Sequence, residues 1–176
     1  MSTRQLRAIA SCLTVYVLVV PRLAAAQDRE PSFVGHALKL AVLDPTTYAP
    51  AVITYDATMR DWKTSQPFFR NGFLEHNARF TVSGFSNDTP VSYGVGRDQI
   101  LRDSISVLAV SAVHNVSARL IEQGLRQRYP EHGRLITALG WVERGAVASL
   151  MSFELAGPHY QQWRQNQQLS AQLGLR

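Results

Sequence analysis

The chain has 176 residues, 18 of them basic and 13 acidic, for a formal net charge of +5, and a single cysteine. A chain of this length forms one domain that buries roughly two thirds of its unfolded surface without covalent staples, and one cysteine excludes a disulfide framework. The basic excess would invite a nucleic-acid partner, but part of it lies in a leader, so no nucleic acid is expected.

Arg4 and Arg7 precede the apolar run "AIASCLTVYVLVV" (8–20), and "PRLAAAQD" follows it. A basic start, a short apolar middle and a small-residue exit form the pattern of a secretory signal peptide. Residues 1–26 are therefore expected to be cleaved after Ala26, leaving 27–176 as a single helical domain. The run is shorter than the roughly 20 apolar residues of a spanning helix, and Cys12 lies inside it instead of at its end, which argues against a lipid anchor. Cleavage takes Arg4, Arg7 and Arg22 from the 18 basic residues, so 15 remain against 13 acidic ones, a net charge of +2. It also leaves the mature chain free of cysteine. Arginine outnumbers lysine 16 to 2, which we read as the codon usage of a GC-rich bacterium, with the periplasm or the exterior as the destination.

"PSFVGHALKLAVLDP" places Phe33, Ala37, Leu40 and Ala41 on one helical face, and Asp44-Pro45 closes the helix because a residue before proline avoids the helical region. Pro50 opens the next helix, with Val52, Tyr55, Met59 and Trp62 at helical spacing. A short further helix is expected to begin near Pro67. From Phe80 to Gly96 the chain is rich in turn formers and lacks a period, which makes it the one long loop, either a contact surface or a connection between helical layers.

Asp98 to Tyr129 reads as a long helix, apolar nearly all round between Ile105 and Val113, as expected of a central helix buried on several sides. "RYPEHG" turns the chain, Pro130 opens the next helix, and Gly157-Pro158 stops it. Gly140 and Gly145 within it point to close helix packing. A glutamine-rich last helix carries Tyr160, Trp163 and Leu173 inward. The expected fold class is all-α: a single-domain helical bundle with a long central helical hairpin and one long loop.

If the hairpin turns at Pro130, Arg119 faces the region of Trp141 to Glu143. An Arg119–Glu143 pair, with Glu122 reaching Arg134 or the backbone near it, would satisfy the charges inside the interface. His114, Asn115, Arg119 and Glu143 are accordingly the candidate ligand-binding residues, or else the paired polar groups of a core. His114 with Glu143, opening onto a pocket with Arg144 and Tyr55 or Asp56, would suit general acid–base catalysis; the requirement is a concave, solvent-reached site. Metal binding is not expected, because His36, His76, His114, His132 and His159 are scattered without ligand spacing, and no cofactor motif is present. The aromatic group Trp62, Phe68, Phe69, Phe73, Phe80 and Phe85 makes a core or an apolar groove with the loop as its lid.

Three functions fit: a non-enzymatic binding module that takes an envelope protein or an apolar ligand, a small periplasmic enzyme using His114 with Glu143, or a membrane-associated subunit of an envelope complex. Against the last, neither apolar helix is expected to reach the length of an independent span.

Overall fold

The structure, a computed structural model, describes residues 31–175; the expected leader, 1–26, lies outside the described residues. It contains four α-helices, α1 (Pro31–Leu43), α2 (Ala49–Arg70), α3 (Tyr93–Arg128) and α4 (Gly133–Leu173), with single 3-10 turns at Pro45–Thr47, Ala78–Phe80 and Pro130–His132. Among the described residues there is no strand. The chain is an all-α, single-domain bundle built on the long α3–α4 hairpin, with one long loop between α2 and α3.

Local chemistry explains most of the boundaries. Asp44 ends α1 and caps the turn that follows, its side chain accepting from the Thr46 amide, and Pro50 sits in the first turn of α2, where its missing N–H costs nothing. Ser92 caps α3 by accepting from the Val95 amide. The helix therefore starts at Tyr93, and the loop occupies 71–92 instead of 80–96. Within the loop, a reciprocal pair of backbone bonds joins Glu75 to Asp88, the Val82 amide donates to the Thr89 carbonyl, and Gly84 and Asn87 turn it with φ of 77° and 61°.

Two expected breaks are absent. Pro67 lies inside α2, which ends three residues later, at Arg70, with Gly72 at φ 84° just beyond. Pro158 lies inside the 41-residue α4. Proline removes one bond to the preceding turn, but α2 grips α4 immediately beyond it: His159 Nδ1 is 2.8 Å from Asp61 Oδ2, and the Tyr160 hydroxyl donates to Asp56 Oδ2 at 2.8 Å. The separate glutamine-rich helix is the second half of α4, and at its far end Asn166 is buried whereas Leu173 is exposed.

α2 runs in the same direction as α4, its most extensive neighbour, as the bonds Asp56–Tyr160 and Ser65–Asn166 show, and antiparallel to α3, as Trp62–Tyr93 and Thr46–Ser111 show, while α1 packs on α3. At one end, Trp62, Phe80 and Ile100 form an aromatic core with Tyr55, Met59, Phe69 and Val91 around it. Trp62 lies against Gly96, where an added Cβ would fall 2.3 Å from the indole, and the indole N–H donates to the Tyr93 carbonyl. Phe73, Phe85 and Val52, expected inside, are exposed.

Elsewhere the usual partition is inverted. The buried apolar residues are mainly alanines, Ala37, Ala41, Ala51, Ala57, Ala118, Ala148 and Ala156, and they are accompanied by buried Asp44, Asn115, Glu122 and Arg144. Larger apolar side chains face outward: Ile105 and Val113 on α3, Leu139, Trp141, Leu150 and Phe153 on α4. The expectation that α3 is enclosed on several sides is thus corrected; an 18-residue window of it with mean hydropathy 1.4 is only 22% buried. By length and composition α3 also suffices to cross a membrane, contrary to the sequence expectation, because the stretch after Asp103 runs on as unbroken apolar helix with only Arg119 and Glu122 charged before Arg126.

Candidate functional site

The α1–α2 turn inserts a run of polar groups between α3 and α4, and side chains of both helices bond to it. Asp44 Oδ2 accepts from Arg119 Nη2 at 2.8 Å and from Arg144 Nε at 3.0 Å. Arg144, 1% exposed, also donates from Nη1 to Glu122 Oε2 at 2.8 Å, and Arg119 Nη1 lies 3.4 Å from the same oxygen. Two guanidiniums and two carboxylates thus neutralise one another. Beside them Asn115 Nδ2 donates to Thr46 Oγ1 at 2.9 Å and Thr47 Oγ1 at 2.7 Å, and the Ser111 hydroxyl donates to the Thr46 carbonyl. Thr47 Oγ1 in turn donates to the Ala41 carbonyl. A buried charge survives only when paired in this way, and these bonds hold the turn between the two long helices. Gly140 makes room for the network: a Cβ there would lie 2.7 Å from Glu122 Oε2. Gly145, expected to serve close packing too, has open space around it.

The four residues singled out in the sequence lie on this interface. His114 Nε2 is 3.1 Å from Glu143 Oε1; Asn115 and Arg119 hold the turn. The expected Arg119–Glu143 and Glu122–Arg134 pairs are not formed. The register of the hairpin is as anticipated, but Arg119 points to Asp44, on a third element, and Glu122 to Arg144. In the sequence Asp44 marks only a helix stop. An aspartate followed by Pro-Thr-Thr, opposite two apolar helices that each carry an arginine, was the available signal. Tyr55 and Asp56 stand apart from His114: Tyr55 packs on the aromatic core, and Asp56 pairs with Arg60 at 2.7 Å and with Tyr160.

At the other end of the bundle Asp61 receives His159 and Asn166, and Asn166 Nδ2 also donates to Ser65 Oγ at 2.9 Å. Arg79 pairs with Asp103, fastening the loop to α3. The hydrogen bonds from Arg60 and Tyr160 hold the Asp56 carboxyl below its ordinary pKa. Burial pushes Glu75 up, against the lowering effect of the Asn77 amide that it accepts.

The outer face has an equally definite layout. On α3 the stretch 104–125 contains Arg119 and Glu122 as its only Asp, Glu, Lys or Arg, and on α4 the stretch 135–153 contains only Glu143 and Arg144. Arg119, Glu122 and Arg144 belong to the interior network, and Glu143, whose side chain is 39% exposed, pairs with His114. The pairs His114–Glu143 and Glu122–Arg144 set a register in which both stretches begin and end at nearly the same depth. At 1.5 Å per residue each is about 30 Å long. Beyond one end stand Arg126, Arg128 and Arg134; beyond the other stand Arg102, Asp103 and Glu154.

A shallow groove of about 510 Å3 lies at the first of these ends, lined by Arg126, Gly133, Arg134, Thr137, Ala138, Trp141 and Val142. His114 does not line it, and the His114 side chain is 13% exposed. Among the described residues no group of three His, Cys, Asp or Glu side chains is placed to hold a metal ion. No protein-family model, curated protein or solved structure matches the chain.

Proposed function

We propose that this chain is a non-enzymatic binding subunit of the bacterial envelope, seated in the membrane with the α3–α4 hairpin across the lipid. The observation that carries this reading is the inverted partition: paired charges and alanines inside, large apolar side chains outside, over a belt about as thick as a bilayer's hydrocarbon core. Ionisable groups in a membrane face the bundle interior and pair with one another, as Asp44, Arg119, Glu122 and Arg144 do. Small residues at the contacts let helices approach where lipid tails are as apolar as leucine. The core helix of a water-soluble bundle with this hydropathy would be mostly buried, whereas the α3 window is 22% buried.

The α1–α2 turn fits the same setting. Irregular backbone is tolerated at membrane depth only where protein covers it, and Ser111, Asn115 and Ala41 belong to the bonds that enclose this turn. Lys39, exposed on α1, has a four-carbon stem long enough to carry its ammonium toward the interface. The arginines around the hairpin turn favour a cytoplasmic position for that turn, which would leave the 71–92 loop and the end of α4 outside, in keeping with an exported leader.

Fractionation tests the reading. The full chain, expressed in a Gram-negative host and washed with alkaline carbonate, is expected to stay in the membrane pellet and to be released by detergent; recovery in the soluble periplasmic fraction overturns it.

A further inference from the structure

We infer that the groove at the turn end of the α3–α4 hairpin binds the headgroup of an anionic phospholipid, its phosphate held between Arg126 and Arg134. The inference rests on the membrane seat proposed above and adds a ligand to it. Three observations converge. The groove sits where the charge-poor belt ends, the depth at which headgroups lie. It combines two guanidiniums with an apolar wall of Ala138, Trp141 and Val142, so one end suits a phosphate and the other an acyl chain. And neither Arg126 nor Arg134 forms an ion pair among the described residues, a condition they share with Arg70, Arg102, Arg128 and Arg164, but only these two line the groove.

Charge complementarity selects the occupant. A guanidinium matches phosphate oxygens bidentately, and basic pockets beside membrane helices on the cytoplasmic face hold acidic headgroups. Glu131, the nearby carboxylate, stands 3.7 Å from His132 instead of reaching the arginines. Trp141, 64% exposed, is an aromatic anchor at the interface, and it supplies a reporter.

The test reconstitutes full-length protein, wild type and the double variant Arg126→Gln/Arg134→Gln, into phosphatidylcholine vesicles doped with brominated phosphatidylglycerol or, at equal content, brominated phosphatidylcholine. Trp141→Phe supplies the background from the other tryptophans. The wild type is expected to show at least about a fivefold preference for the anionic lipid in Trp141 quenching, the double variant none, and free inorganic phosphate should leave the quenching unchanged. Equal quenching by the two lipids in wild type, or relief by inorganic phosphate, overturns the inference while leaving the membrane seat intact. Vesicle flotation reads the seat separately: protein that fails to float with either vesicle overturns both.

Discussion

Arg144 is the residue on which the interior depends. It is the meeting point of Asp44 and Glu122, and removing one member of a buried charge set leaves the others uncompensated. Arg144→Met is therefore expected to destabilise the fold by about 3–5 kcal/mol in chemical denaturation of the detergent-solubilised protein. Arg144→Met with Glu122→Gln should cost less than the two single substitutions added together, since each single change strands a partner. A different residue controls acid dependence at the loop. Burial raises the Glu75 pKa, so the folded protein holds this proton more tightly than the unfolded chain does. The neutral form contributes stability that is fully present at pH below the ordinary glutamate range and is lost as pH rises through the raised value. Glu75→Gln keeps the acceptor for the Asn77 amide and is expected to raise the melting temperature at neutral pH with little effect at acidic pH, as read by thermal scans across that range. His114 and Glu143 could be paired from sequence because the hairpin turn at Pro130 sets their register; the partner of Arg119 could not, because Asp44 is far away in the chain.

At the level of elements, glycine placement separates packing from propensity. A glycine in a helix interior costs up to about 1 kcal/mol relative to alanine, so a substitution into open space stabilises and one into a contact does not. Gly145→Ala is expected to raise stability by up to that amount, and Gly140→Ala to lower it by about 1–3 kcal/mol because the new methyl meets Glu122 and Arg144. Denaturation midpoints of the two variants check both signs; equal shifts would refute the close approach at Gly140. The sequence marks both glycines identically. Only the neighbouring helix distinguishes them, just as only α2, gripping His159 and Tyr160, lets α4 run on through Pro158.

For the molecule as a whole, the arrangement is one in which lipid would be the solvent for the middle of the bundle and water for its ends. In that arrangement the aromatic core around Trp62 and the loop fastened by Arg79 to Asp103 would form the end that faces water outside. The network around Arg144 holds the α1–α2 turn between the two long helices, and the arginine-bordered groove would lie at the opposite interface. Carbonate extraction and lipid quenching probe this layout at two depths, and together they tell a membrane protein with a specific lipid from one that merely partitions.

The helical class, the hairpin about Pro130 and the charge-poor stretches on α3 and α4 were determined by the sequence alone, because periodicity, proline and cap residues act within a few positions of themselves. Which way those stretches face was decided only by the tertiary structure. A helix that is apolar nearly all round carries no directional signal, so its interior side is chosen by where neighbouring helices offer partners for Asn115, Arg119 and Glu122. Those partners come from the α1–α2 turn and from α4, and bringing them inside left the large apolar side chains facing out.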